Sequence, residues 1–432
     1  MKKLNHALLQ TLVVVVTLVA TRTFAEGFRN SPAGTFGLGR AGGRIAHVDD
    51  ASAVAQNPAN LTDLKAAEVQ FAPTVLYVDV KFDSAAGYTA KTEHPWKFVP
   101  NLFIAKPIAD GQAVLGLGIT VPYGLSVDWD ENSSAFATPA LNSLRYFAPH
   151  FAELETINFN PTVAWKFSEH VSFGLGADVM WSRLTLKQFY PWQLVGGGPD
   201  GNIKVKGDGV GVGANLGLTW QVTERQRLAF TWHSPMDINY DGKATVDNIT
   251  PTGTFLGVTP SSKFGTSISY PMQLAVGYGF QVTKNFRLET DVEWIQFSRF
   301  KSLNLNLGNN NALFTVLGQP TSVAQNWHDT FTIGLGGDWK FADNWTLMGS
   351  YQFYESPVPD ATFSPTIPDA NQNVFTLGLR YVNGRHSVEG AYALDLFDKR
   401  TIAASTPSNG GAFNGTYDII IHHFSLAYHY AF

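Results

Sequence analysis

Apolar and polar residues alternate along most of this chain in segments of about ten residues, the period of a strand whose two faces meet different surroundings. The last segment is the clearest. Phe424, Leu426, Tyr428, Tyr430 and Phe432 fall on one face, and Ser425, Ala427, His429 and Ala431 on the other. In Phe286–Trp294 the residues Phe286, Leu288, Val292 and Trp294 share a face with Thr290, against Arg287, Glu289, Asp291 and Glu293 opposite. Four charges on an inward face would be ruinous in a dry soluble core, because unpaired buried charge costs several kcal/mol. A barrel lumen that holds water, or in which the charges pair, tolerates them, and closure satisfies every backbone group within lipid.

Tight polar turns separate alternating runs at Ala109-Asp110-Gly111, Ser168-Glu169-His170, Thr223-Glu224-Arg225, Thr283-Lys284-Asn285, Ala342-Asp343-Asn344 and Asn383-Gly384-Arg385. These six hairpins give twelve strands, and Glu68–Lys81 before them and Thr416–Phe432 after them bring the count to fourteen. The intervening segments, near 82–97, 122–155, 187–207, 240–267, 298–326, 355–370 and 397–415, are longer and rich in Gly, Pro, Asn and Ser, and are expected as loops. Short turns at one end and long loops at the other predict an all-β fold, a 14-stranded antiparallel transmembrane β-barrel. Trp181, Trp220, Trp232, Trp294, Trp339 and Trp345 fall near strand ends, where indoles favour the headgroup level.

Composition fits that reading. Only 15% of residues are charged, 13% are aromatic and 40 are glycine, yet no apolar run beyond the first residues is long enough for a helical span. Lys2 and Lys3, an apolar run over residues 7–20, and Thr23-Phe24-Ala25 have the layout of a secretory signal peptide over residues 1–25. Cysteine is absent, so an exported chain owes nothing to disulfides or thiolate metal sites. The net charge of −5 offers no basic footprint for nucleic acid. No GxSxG occurs, His422-His423 and His233-Ser234 lack a third partner at a recognisable spacing, and the glycine-rich run 207–217 lacks the context of a phosphate loop. A non-enzymatic protein without metal or cofactor is expected. A general porin and an outer-membrane hydrolase are the rival readings.

Residues 26–67 show no strand alternation and are too small and polar to build a core of their own. Placed ahead of a barrel (residues 68–432), they are expected to plug its lumen as a hatch, the alternative being a disordered periplasmic tail.

Gly37-Leu38-Gly39-Arg40-Ala41, Asp49-Asp50-Ala51 and Asn57-Pro58-Ala59 resemble the N-terminal hatch of the outer-membrane long-chain fatty acid transporters and their aromatic-hydrocarbon relatives. The resemblance continues in order through Pro122-Tyr123-Gly124-Leu125, Trp294–Phe300, Glu355–Pro359, Ile367-Pro368-Asp369 and the closing strand. It implies uptake of hydrophobic compounds across the outer membrane of a Gram-negative bacterium. Capture in a loop groove is followed by a lumenal pocket against the hatch and lateral exit where the third strand kinks. Here that strand is Gln112–Val121. Gly116 and Gly118 lack side chains to pack, Pro122 lacks a donor, and with Gly124 they mark the expected gate.

The loops offer Phe136, Leu141, Leu144, Tyr146, Phe147, Phe151, Phe189, Tyr190, Trp192 and Leu194 as an exposed apolar groove. The family's basic pair for the fatty-acid carboxylate aligns with Gln188 and His328, with Arg183 and Lys187 close by. Amide and imidazole hold an anion less well, which leaves a neutral aromatic hydrocarbon open as ligand. Expected partners are the hydrophobic compound, outer-membrane lipid and lipopolysaccharide, and the barrel assembly machinery, which by the resemblance reads the terminal aromatic.

Overall fold

The structure, a computed structural model, describes residues 27–195, 197–310, 312–317, 321–403 and 411–432; the expected signal peptide lies outside them. Twenty-one segments of one continuous antiparallel sheet join across short interruptions into fourteen strands. They are β1 (Glu68–Phe71, Thr74–Ser84), β2 (Thr89–Lys91, Trp96–Val99, Leu102–Ile108), β3 (Ala113–Thr120, Leu125–Asp128), β4 (Phe151–Lys166) and β5 (Val171–Tyr190). Next come β6 (Gly201–Thr223), β7 (Gln226–His233, Met236–Val246), β8 (Ser261–Tyr270, Gln273–Thr283), β9 (Phe286–Ile295) and β10 (Thr330–Ala342). The last four are β11 (Trp345–Tyr354), β12 (Gln372–Asn383), β13 (His386–Phe397, continued by Arg400–Ile402) and β14 (Gly415–Ala431).

The ring closes where β14 pairs along both parts of β1, Glu68 opposite Ala431 and Thr74 opposite Ser425. Among the described residues the ring is thereby closed between its first and last strands, as a lipid-spanning sheet requires. The six tight turns lie at one end of the wall and the long loops at the other. Alternation sorts the faces as the sequence pattern requires: on β4, Ala152, Leu154, Thr156, Asn158, Asn160, Thr162 and Ala164 turn inward and are buried, while Phe159, Val163 and Trp165 face out.

The wall is taller than its loops suggested. Residues 187–207 and 240–267, expected as loops, hold the ends of β5 and β7 and the starts of β6 and β8, and 82–97 carries two pieces of β2. Runs such as Lys204-Val205-Lys206-Gly207-Asp208 alternate only weakly, because above the lipid the outward face is polar too.

Residues 27–67 lie inside the ring. Helix α1 (Gly34–Gly39) is buried throughout, and α2 (Ala53–Gln56) leads into a 3-10 turn, Pro58–Asp63. The Asn57 side chain caps that turn by accepting from Ala59 N–H at 3.1 Å. Its amide also donates to Thr219 on β6, 3.1 Å, and to Ile45 O, 2.8 Å. A Cβ on Gly174 or Gly217 would strike Pro58 and Ala59, so the wall is bare where the Asn57-Pro58-Ala59 corner leans on it.

Candidate functional site

The inward acids of β9 meet the hatch, not water. Arg40 reaches Glu289 at 2.9 Å and Asp338 at 2.6 Å. Arg44 pairs with Glu293 and donates its backbone N–H to Asp291 at 2.7 Å. Arg29 reaches Glu293 at 2.7 Å. Three strands along the wall, Arg380 of β12 bridges Asp50 of the hatch and Glu389 of β13. Asp50, Glu389 and His429 bring ligand atoms within 4.8 Å of one another, an arrangement that would suit a cation. The Arg380 guanidinium already supplies the positive charge there, so the cluster reads as a clasp between hatch and wall.

At the loop end the lumen is closed by rings. Phe28 sits at the centre of Tyr123, Tyr270, Phe297, Phe300 and Trp327, with centroids 5.3 to 6.0 Å away. The Gly27 N–H donates to Asp369 at 3.3 Å, and Ser356 donates to the same carboxylate oxygen at 2.7 Å. Beneath this collar lies a cavity of about 120 Å³ between hatch residues 29–33 and 54–56 and strands β3 to β9. Its lining mixes Tyr123, Met180, Met236 and Tyr270 with Arg29, Asn158, Asp178, His233 and Gln273. Asp178 accepts from Asn158, Asn160 and Asn215 at 2.7 to 2.9 Å, so its charge is held by neutral amides.

Beside the cavity the wall is broken. Pairing of β2 with β3 stops at Leu102 opposite Ile119 and reappears as a single bridge between Thr92 and Trp129. Over Trp96–Val99, β2 is bonded to β1 alone among the described residues, and Trp96 and Phe98 are 60% and 64% exposed. Val121–Gly124 turns inward to the first hatch residues: Asn30 N–H donates to Pro122 O and Gly124 N–H to Phe28 O, each 3.0 Å. Arg29 and Tyr123 form an isolated bridge. Gly118 and Pro122 line the cavity. Gly116 and Gly118 lie against Val54, and Gly124 against Asn30, so the expected gate residues form the seam between hatch and wall.

The expected ligand residues divide. Gln188 donates to Tyr146 O at 2.7 Å under the loop cap, and His328 anchors its backbone N–H on Pro357 O. Burial and the Arg400 charge push the His328 imidazole below its ordinary pKa, which keeps it neutral. Arg183 and Lys187 alternate with buried Ser182 and Leu184 and face outward, Arg183 over Trp181 and Lys187 over Phe151, 4.8 and 4.4 Å from the ring centroids. They therefore share no face with Gln188. The groove expected to be exposed is mostly a buried cap: Phe136, Leu144, Tyr146, Tyr190 and Trp192 are enclosed, Phe147 and Phe189 pack against them, and Leu141 and Leu194 are exposed. Trp192 donates to Asp247 O at 3.1 Å. Loop folds back on loop because rings of that size gain more from each other than from water.

A fourteen-stranded outer-membrane barrel stoppered by its own N-terminal segment, with a lumenal cavity beside a break in the wall, defines a transport protein. The chain belongs to the family described as outer membrane protein transport protein (OMPP1/FadL/TodX), which it matches over residues 16–432. It is 27% identical over 408 residues to the long-chain fatty acid transport protein of Escherichia coli O6:H1, covering 86% of each chain. Its fold matches a Pseudomonas aeruginosa FadL homologue with a TM-score of 0.80 at 21% identity, covering 94% of this chain and 100% of that one. It matches the Pseudomonas putida toluene transporter TodX at 0.73 and 16%, covering 93% and 99%.

Sequence reasoning missed Phe28, Tyr270, Trp327, Arg29, Asp178 and His233 as site residues. One signal was available: Arg29, Arg40 and Arg44 come with no acid among residues 27–48, opposite the acid-lined face of β9.

Proposed function

We propose that the protein takes up hydrophobic compounds, foremost long-chain fatty acids, by diffusion through the hatch-plugged barrel and sideways exit into the membrane. The observation that carries this is the cavity between the Phe28 collar and the break beside β3. An acyl chain gains about 25 cal/mol per Å² of apolar surface on leaving water. A polar floor with Arg29, Gln273 and His233 suits one polar headgroup. Its kinship with a fatty acid transport protein points the same way. Opening requires Phe28–Asn30 to leave the β3 kink, which couples the hatch to the exit.

A monoaromatic hydrocarbon is the second reading. By the resemblance, Gln188 and the neutral His328 fall at the family's carboxylate positions, and Arg183 and Lys187 lie on the opposite face of the strand from Gln188. Equilibrium binding of a labelled long-chain fatty acid to the purified barrel separates the two. Saturable binding weakened by Arg29→Ala supports the first reading. No saturation, with toluene displacing a lumenal dye, replaces it by the second. In the same proposal the β14 terminus, where Phe432 N–H donates to Ala67 O at 2.9 Å, is the segment read during barrel assembly.

A further inference from the structure

The outer wall above the lipid carries an unbalanced row of charge. On β6 the outward residues Trp220, Leu218, Leu216, Ala214, Val212 and Val210 are apolar, and Val210 and Val212 remain 58% and 69% exposed. At ~3.3 Å per residue and ~40° tilt, Trp220 to Val210 spans about 25 Å, the height of the apolar band. Asp208 comes next on that face, and Lys206 and Lys204 follow it, about 10 Å and more above Val210, at headgroup depth.

The register then sets like charges side by side. Lys206 stands directly opposite Lys243 on β7, and Lys243 directly opposite Lys263 on β8. One row outward, Lys204 stands opposite Lys187. Like charges facing each other across strands destabilise a sheet. Carboxylates are near: Asp208 and Asp241, themselves opposite one another, form the row below. Same-face neighbours along a strand have backbones ~6.6 Å apart, a gap a lysine can span, as Lys81 does to Asp79 at 2.9 Å, but the lysines of this row do not turn to these aspartates. Among the described residues the lysines found in ion pairs are Lys81 and Lys399; the five of this patch are not. Lys204, Lys206, Lys243 and Lys263 are exposed.

We propose that this face of β6–β8 binds the phosphate groups of an outer-leaflet glycolipid headgroup, with Lys206, Lys243 and Lys263 as the central row. Charge complementarity and height select the occupant. A phosphorylated headgroup anchored by acyl chains against Val210 and Val212 brings its anionic groups to the lysines and relieves their repulsion. A free phosphate has no such anchor. The ladder thus marks a lipid-binding wall separate from the lumen.

The test is titration of the purified full-length barrel, in neutral detergent, with bisphosphorylated lipid A. Lysines near an anionic surface are worth about fivefold each, so Lys206→Gln/Lys243→Gln/Lys263→Gln should weaken binding about a hundredfold. Lipid A stripped of phosphate should bind wild type as weakly as the variant, and inorganic pyrophosphate at the same concentration should not displace lipid A. The charge-retaining triple Arg variant should bind like wild type. Wild-type binding should also weaken when salt is raised, a readout that holds if the Gln variant fails to fold. Equal lipid A affinity in wild type and the Gln variant, indifference to phosphate removal or to salt, or full displacement by pyrophosphate would each overturn the proposal.

Discussion

Arg40 of the hatch and Glu289 of β9 form an ion pair at 2.9 Å, with both side chains wholly excluded from solvent. Glu289 also accepts the backbone N–H groups of Ala46 at 2.5 Å and His47 at 3.1 Å, so one carboxylate fastens both ends of a hatch turn. Removing one partner of such a pair costs about 3–5 kcal/mol, because the other is left buried and uncompensated. Glu289→Ala is therefore expected to leave the barrel folded, its sheet being closed elsewhere, while loosening the hatch. Protease cleavage within residues 27–67 and ionic current in planar bilayers should both rise above those of the wild type. A variant with unchanged current and cleavage would mean the hatch is held by packing alone.

Packing makes its own demand where hatch and wall touch without side chains between them. A Cβ at Gly174 would lie 2.5 Å from Ala59 N and 2.6 Å from Pro58 Cβ. Gly174→Ala should destabilise the seat by about 1–3 kcal/mol, the usual cost of overpacking. Gly349→Ala, where the nearest atom is 3.5 Å away, should be neutral. Denaturant midpoints of the two variants, followed by hatch proteolysis, compare them directly.

The barrel was legible because lipid enforces the alternation: Phe424 to Phe432 and Phe286 to Trp294 face the same solvent on every second residue. Above the lipid that pressure vanishes, and Lys204–Gly207 and Asp241–Lys243 read as loops though they are strand. The seam between hatch and wall was legible through Pro122 and the glycines, whose chemistry is local. The collar was not, because Phe28, Tyr270 and Trp327 are far apart in sequence and meet only after closure. The orientation of Arg183 and Lys187 was lost for a simpler reason. A one-residue difference along a strand reverses the face, and alignment by resemblance does not fix parity.

Phe28 is the ring on which the collar converges, and truncating a buried Phe costs about 3–5 kcal/mol. Phe28→Ala should open the loop end of the lumen and expose Trp327, which lies 5.3 Å from it centroid to centroid. Acrylamide should quench a larger share of the tryptophan fluorescence in this variant, and adding Trp327→Phe should abolish the difference. If quenching is the same with and without Phe28, the collar is sealed by the other rings.

Asp369 ties the same region to pH. Burial raises its carboxyl to about 6, against an ordinary value of 3.8, and the hydrogen bond from Ser356 pulls it back only in part. The folded state thus holds its proton more tightly than the unfolded one. By linkage the contribution of this group to stability is largest below pH 3.8 and falls as pH rises through about 6. Asp369→Asn, neutral at every pH, should lack that fall. Relative to wild type, the variant should show greater hydrogen-exchange protection of Phe28–Asn30 at pH 8, and the advantage should shrink towards pH 4. An advantage that persists unchanged at pH 4, or is absent at pH 8, would mean that ionisation of Asp369 does not govern the anchoring of Phe28–Asn30.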